Sequence, residues 1–150
     1  DLPANQEQRQ RAHQGADGVV TGWEERGPEW RGFATGGSKV LFRFGFKGAA
    51  RICVTEAAID AMSLGAIEKA RRDTLYVSTG GGWSPATDGA IRMLGERPAV
   101  RFVAATDANT QGEAFVARLR ELAGELSCDF ERLKPRAEDW NAMLKEGAIA

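Results

Sequence analysis

The segment Ala99-Val100-Arg101-Phe102-Val103-Ala104-Ala105-Thr106-Asp107-Ala108-Asn109-Thr110-Gln111-Gly112-Glu113 decides the fold of this 150-residue chain. Its apolar first half is typical of a short buried strand, and a helical pattern starts directly after the polar residues. In open α/β sheets, ligands bind where strands end and helices begin. Asp107, Asn109 and Glu113 fall at this point of the chain. The segment therefore predicts an α/β domain with a polar site at the carboxyl end of this strand.

These three oxygen-bearing side chains have two interpretations. The first is a cation site, because hard cations such as Mg²⁺ prefer oxygen ligands. The second is helix capping by Asp107 or Asn109, and residues 110–113 have the spacing of a capping box. The residue types alone leave both interpretations open.

Strand and helix patterns alternate on both sides of this segment. Apolar runs predict further strands at residues 51–55 and 74–78, and residues 129–133 are predicted to form an edge strand. Helical patterns cover residues 56–72, a stretch that begins at Ser84-Pro85, residues 111–126 and residues 137–145. This order of strands and helices predicts a mostly parallel four-stranded sheet flanked by helices on both faces.

The first strand-to-helix junction carries a second pair of acids. Glu56 follows the strand directly, and Asp60 lies four residues later, on the same face of the predicted helix. Acids near a helix start are stabilised by the helix dipole, which explains Glu56 without any ligand. Two like charges at this spacing repel each other mildly, and a shared cation would offset that repulsion. The residue types alone leave both explanations of this acid pair open.

The chain before residue 49 has a different character. Residues 1–17 are polar and predict a short helix or a poorly ordered lead-in, and residues 18–48 predict an antiparallel hairpin or meander. The segment from Arg26 to Arg51 contains six basic residues and one acidic residue. Basic residues interleaved with aromatic ones suit single-stranded nucleic acid, and they are also typical of a strand pair with one solvated face. The nucleic-acid interpretation assigns four contacts: Arg31, Lys39, Arg43 and Lys47.

Composition excludes several classes of protein. The net charge of -1 and the 43% hydrophobic content are those of an ordinary globular protein, with no charge excess toward nucleic acid or membrane. We expect no membrane association, since no apolar run reaches spanning length and no signal peptide is visible. Cys53 and Cys128 lack metal-ligand spacing and indicate reduced packing thiols in a cytoplasmic protein, with one disulfide as the alternative. Neither a Walker loop nor a dinucleotide fingerprint is present. The chain begins with Asp1, so further domains of a longer chain are expected.

Three motifs together resemble the Toprim domain of bacterial-type DNA primases, type IA and type II topoisomerases and related nucleases. They are Glu56-x-x-x-Asp60 after one strand, Asp107-x-Asn109-x-x-Gly112-Glu113 after another, and the tail Glu138-Asp139-Trp140-Asn141. The tail is similar to that of Toprim domains encoded beside plasmid mobilisation and phage replication genes. The preceding strand-rich segment resembles the end of an uncharacterised domain that precedes Toprim in those plasmid proteins. The resemblance implies an N-terminal extension at residues 1–48 and a Toprim-like α/β domain at residues 49–150.

The resemblance also implies a bound Mg²⁺ or Mn²⁺ ion. The family's catalytic and metal-binding positions correspond to Glu56 and Asp107, with Asn109 as a further ligand and Asp60 and Glu113 in outer positions. Asn109 stands where the family usually has a second Asp. Asn keeps an oxygen ligand but removes one negative charge, so a second cation would be held less well.

The function implied by the resemblance is Mg²⁺-dependent nucleic-acid processing on DNA or RNA, either primase-like synthesis or nicking, in a plasmid or mobile-element protein. Topoisomerase chemistry needs a tyrosine nucleophile, and the single tyrosine, Tyr76, falls in the middle of a predicted strand. The alternative is a non-catalytic nucleic-acid-binding module, which the Asn109 departure favours. A response-regulator receiver is disfavoured, because no acidic pair precedes the first helix.

Overall fold

The computed structural model describes residues 10–14, 20–26, 31–33 and 41–149, and it describes side chains from residue 41 to residue 147. The strands are β1 Gln10–Gln14, β2 Val20–Arg26, β3 Arg31–Phe33, β4 Leu41–Gly45, β5 Arg51–Thr55, β6 Thr74–Ser78, β7 Arg101–Ala104 and β8 Asp129–Arg132. The helices are α1 Ala58–Ile67, α2 Pro85–Gly95, α3 Thr110–Leu126 and α4 Trp140–Ile149. Within these ranges, no helix is both long enough and apolar enough to cross a membrane.

Four parallel strands form one half of the sheet. β5 lies between β6 and β7, and β8 pairs with the outer side of β7, all in parallel register. Each parallel crossover passes through a helix, as the alternating pattern predicted. The predicted parallel α/β sheet is confirmed, and the strands at residues 51–55 and 74–78 have the predicted bounds.

The antiparallel N-terminal segment continues the same sheet. The described strands run in the order β3-β2-β1-β4-β6-β5-β7-β8, and β4 pairs antiparallel with β6. Residues 10–14 form a strand, which differs from the predicted helix or lead-in. Their pairing explains the difference, because His13 and Gln14 lie opposite Phe42 and Leu41 of β4. Strand formation here depends on these distant partners more than on local composition.

Helices cover both faces of the parallel strands. The sheet has a hydrophobic core on each face. Alternate residues of β5 belong to different cores, with Ile52 and Val54 in one and Cys53 in the other. The first core includes Ile91 of α2 and Leu119 of α3, and the second core is formed with residues of α1 and α4. Both cysteines are free thiols, as expected.

Two helices begin later than their sequence patterns predicted, and each delay leaves an acid outside the helix. α1 begins at Ala58 because Ala57 has an extended backbone, with φ -126° and ψ 149°. α4 begins at Trp140, where Asp139 Oδ1 accepts a hydrogen bond of 2.8 Å from the backbone N–H of Ala142. Glu56 and Asp139 therefore lie in the short connections that precede α1 and α4.

Candidate metal centre

The predicted site lies where β5 and β7 end. These strands are parallel neighbours, so their carboxyl ends share one edge of the sheet. Glu56 follows β5 directly, and Asp107 follows β7 after a short connection. The backbone N–H of Asp107 donates a hydrogen bond of 2.9 Å to Glu56 Oε2. The structure thus brings together the two acids to which the sequence assigned catalysis.

Three aspartates form an acidic cluster at this edge. Single carboxylate oxygens of Asp60, Asp107 and Asp139 all lie within 4.8 Å of one another. Asp60 lies in the first turn of α1 and is only 5% exposed. Asp139 is the residue to which the sequence assigned no role. The available signal was an acid in the Glu138–Asn141 tail, next to the start of the closing helix.

The start of α4 fixes this geometry through backbone groups. The N–H of Asn141 donates to Asp60 Oδ1 at 3.2 Å, which joins α4 to α1. The N–H of Ala108 donates to the carbonyl of Glu138 at 2.7 Å, which joins the loop after β7 to the same segment. The helix therefore positions acids that are far apart in the sequence.

The buried Trp140 makes a second connection between α4 and β7. Its indole Nε1–H donates a hydrogen bond of 2.8 Å to the carbonyl of Ala105, between β7 and Asp107. The side chain is 3% exposed and packs in the core formed by α1 and α4. A buried indole N–H usually needs an acceptor, so this contact fixes the register of α4 against β7.

The neighbouring acids of the cluster affect the pKa of Asp107. Burial, followed by the charges of Glu56, Asp60, Asp139 and Glu138, raises the pKa of Asp107 to about 7. Both causes disfavour the charged carboxylate. Asp107 Oδ1 is buried and has no hydrogen-bond partner among the described residues. An unpartnered buried carboxylate oxygen among other acids is what a bound cation would satisfy, and an all-oxygen donor set suits Mg²⁺. The residues present therefore fit the ion that the sequence implied.

Asn109 and Glu113 make other contacts. Asn109 caps α3, and its Oδ1 accepts a hydrogen bond of 2.8 Å from the N–H of Gly112, as the capping interpretation predicted. Glu113 Oε2 lies 2.6 Å from Arg132 Nη2, and this ion pair lowers the pKa of Glu113. The predicted roles of Asn109 as a ligand and of Glu113 in an outer position stay predictions.

The structure describes the side chains of two of the four predicted nucleic-acid contacts, Arg43 and Lys47. The side chains of Arg31 and Lys39 lie outside the residues with described side chains. Arg43 is on β4 and is only 7% exposed. Lys47 is exposed, but it follows Gly45, which pairs with Leu75 near the start of β6. Lys47 therefore lies at the edge of the sheet opposite the acidic cluster. The assignment of these residues to nucleic-acid binding stays a prediction.

Tyr76 lies in the middle of β6, as predicted, and is fully buried. Its hydroxyl donates a hydrogen bond of 2.7 Å to Glu68 Oε1. Burial, and then the contact with Glu68, raises the pKa of Tyr76 to about 12. A buried hydroxyl that is held in its protonated form is a poor nucleophile. The structure thus gives Tyr76 a packing role.

This chain belongs to the Toprim-like family, since the family model matches residues 53–144. A second model, described as a protein of unknown function (DUF3991), matches residues 12–50. The division into residues 1–48 and 49–150 stays a prediction. A search of curated protein sequences finds no match to this chain.

Solved structures of phage primases have the same fold. The primase fragment of the bacteriophage T7 primase-helicase protein superimposes with a TM-score of 0.60 at 17% sequence identity. That comparison covers 92% of this chain and 57% of the T7 fragment, so this chain spans little more than half of that protein's length. A second match has a TM-score of 0.57 and 19% identity, and it covers 93% of this chain and 71% of the other. That match is to one chain in a structure of the bacteriophage T7 lagging-strand DNA polymerase interacting with primase domains of two gp4 subunits bound to an RNA/DNA hybrid and dTTP.

Proposed function

We propose that this chain is a Mg²⁺-dependent nucleic-acid-processing module that catalyses phosphodiester chemistry on DNA or RNA. Membership of the Toprim-like family and a fold similar to primase fragments suggest nucleic-acid processing. The observation that carries the proposal is the buried Oδ1 of Asp107, which has no hydrogen-bond partner in the described part of the chain and lies within a cluster of three carboxylates. Packing does not explain this arrangement, because clustered acids disfavour one another's charge in the absence of a cation.

Asp60, Asp107 and Asp139 would hold the ion, since their oxygens already lie within reach of one point. When bound, Mg²⁺ would neutralise a substrate phosphate and stabilise charge on the attacking or leaving oxygen. Glu56 Oε2 accepts the N–H of Asp107, which leaves Oε1 as the oxygen that binds the cation or transfers a proton. Asn109 and Glu113 would lie at the rim, because their oxygens already contact Gly112 and Arg132.

Primase-like synthesis and nicking are the two reactions that this centre would serve. The tail Glu138–Asn141 resembles those of Toprim domains encoded beside plasmid mobilisation and phage replication genes, and we assign the chain to such an element. The nucleic acid would approach the edge of the sheet at which β5 and β7 end. The cytoplasmic location expected from the cysteines stays a prediction.

Isothermal titration with Mg²⁺ and with Mn²⁺ tests the centre directly. Wild type is expected to bind the ion, and Asp107→Asn and Asp139→Asn are expected to lose binding. Asp129→Asn is the matched control, because this exposed acid starts β8 at the opposite edge of the sheet. The same four proteins are then assayed for nicking of supercoiled DNA and for primer synthesis on a single-stranded template. Absence of metal binding in wild type would refute the proposal.

A non-catalytic nucleic-acid-binding module is the second candidate. The observation that favours it is Asn109, which stands at the family's second Asp position and uses its oxygen to cap α3. This candidate predicts binding of nucleic acid with a marked salt dependence and no turnover with any divalent ion. Turnover in wild type that is lost in Asp107→Asn excludes it.

A further inference from the structure

We propose that Arg132 is a positioning residue, which holds the loop between β7 and α3 so that the Asp107 carboxylate faces Asp60 and Asp139. The inference rests on the proposed function only in calling this cluster a metal centre. Arg132 does not touch the Asp107 carboxylate in any described contact. It acts on the backbone that carries this side chain.

Arg132 is the last residue of β8, next to the end of β7. Its Nη1 donates to the carbonyls of Ala104 at 3.0 Å and of Thr106 at 2.8 Å. Its Nη2 donates to the carbonyl of Asp107 at 3.1 Å. Three carbonyls within four consecutive residues therefore point at one guanidinium group. The loop cannot turn in another direction without breaking several of these bonds together.

In this arrangement, the backbone carbonyl and the side-chain carboxylate of Asp107 have different partners. Its carbonyl oxygen is bound by Arg132, and its carboxylate lies within 4.8 Å of the carboxylates of Asp60 and Asp139. The guanidinium therefore decides which group of this residue enters the acidic cluster. Arginine suits this task because its donors form a planar, rigid fork. A lysine side chain has one nitrogen, so it cannot replace both Nη1 and Nη2 in their contacts with these carbonyls.

Two further contacts support the same loop. Arg132 Nη2 lies 2.6 Å from Glu113 Oε2, so the charge of Arg132 is balanced by a residue of α3. Thr106 Oγ1 donates a hydrogen bond of 2.7 Å to the carbonyl of Gly112, also in α3. The loop is thus held between β8 and the first turn of α3. Glu113 serves here as the partner of the arginine.

Arg132→Lys tests the inference against a matched variant, Arg97→Lys. Arg97 also donates to three carbonyls, those of Leu94 at 3.4 Å, Lys47 at 3.2 Å and Ala49 at 2.9 Å, but at the opposite edge of the sheet. The first readout is hydrogen exchange of the Asp107 and Ala108 amides in chelator. The second is Mn²⁺ affinity by calorimetry, at a temperature at which every variant is fully folded.

Arg132→Lys is expected to speed exchange of both amides and to weaken Mn²⁺ binding about 10- to 100-fold, the usual effect of losing a residue that orients a ligand. Arg97→Lys is expected to change neither quantity. Unchanged exchange in Arg132→Lys overturns the inference, and so does an Mn²⁺ affinity within about twofold of wild type. Equal effects of the two variants also overturn it, since they would indicate general destabilisation. If wild type binds no Mn²⁺, the proposed function fails, and the exchange comparison alone decides whether Arg132 holds the loop.

Discussion

The backbone N–H of Asp107 donates a hydrogen bond of 2.9 Å to the carboxylate of Glu56, a residue 51 positions earlier in the chain. The contact couples the loop after β7 to the loop after β5, so that neither acid moves independently. A carboxylate that accepts a backbone N–H is held in one orientation. The first prediction concerns the burial of Asp107 and the acids around it.

The stability of the metal-free protein should fall between about pH 4 and pH 7. Asp107 has its folded pKa raised from 3.8 to about 7, so the folded state keeps a proton that the unfolded state releases. Stability from this group is full below pH 4 and is lost as the pH rises through 7. After allowance for the partial exposure of the side chain, we expect a loss of about 1–2 kcal/mol.

Thermal melts in chelator measure this loss, and Asp107→Asn is the control. The variant should melt higher than wild type at pH 8, and the difference should shrink toward pH 5. At pH 8, Mg²⁺ should stabilise wild type and leave the variant unchanged, because only an ion that binds the folded state raises its stability. Parallel pH profiles of the two proteins would contradict the prediction.

Gly112→Ala should distort the loop that carries Asp107. A Cβ atom at Gly112 would clash with the carbonyl oxygen of Asp107, a backbone atom that cannot rotate away. We expect a loss of about 2–4 kcal/mol in the free energy of unfolding, together with weaker Mn²⁺ binding. Gly124→Ala in the same helix has open space around its Cβ and should gain up to about 1 kcal/mol. Urea unfolding of both variants tests the pair, and equal effects would be inconsistent with the close approach.

Tyr76→Phe should leave any metal-dependent nicking or synthesis unchanged. The hydroxyl contacts Glu68 and the backbone N–H of Arg71, so its removal should cost about 1–2 kcal/mol of stability. Assays of the folded variant with Mg²⁺ test this, and gel analysis shows whether a protein–DNA adduct forms. Loss of cleavage together with loss of an adduct would mean that Tyr76 is a nucleophile after all.

Asn109→Asp should increase the affinity for divalent ions. Asp is as good a helix cap as Asn, so the bond to Gly112 and the start of α3 should be kept. The substitution adds a negative charge to the rim of the cluster and restores the residue that is usual in the family. We expect a several-fold tighter Mn²⁺ binding or a second binding event in calorimetry. Asn141→Asp, at the start of α4, controls for the added charge, and an identical gain in both variants would argue against a specific ligand position.

Local sequence patterns could predict much of this fold because its central strands are buried on both faces. Short apolar runs bounded by turn signals predict strands at Arg51–Thr55 and Thr74–Ser78. The strands in the structure have the same bounds. The proximity of Glu56 and Asp107 could also be predicted from the sequence, since ligand sites gather at the carboxyl ends of parallel strands. These features follow from spacing along the chain and from the rules of parallel sheets.

Such local patterns could not predict contacts between residues that are far apart in the sequence. Asp60 accepts an N–H from Asn141, 81 residues away, and nothing in the tail shows which strand end α4 approaches. The strand at Gln10–Gln14 depends on β4 as its neighbour, and the burial of Arg43 follows from the position of β4 beside β6. Asp139 and Arg132 were therefore missed, because their roles arise from where α4 and β8 pack and not from their neighbours in sequence.

The hydrogen bonds that residues 138–142 make have a consequence for biosynthesis. Asp60 and Asp107 leave the ribosome well before this segment, which contributes Asp139 and the backbone groups that contact Asp60 and Ala108. A nascent chain therefore lacks the third carboxylate until translation has passed these codons. Copies that stop short of them carry two aspartates at the sheet edge and no complete centre. The proposed metal centre is therefore completed only when one of the last parts of the domain has been synthesised.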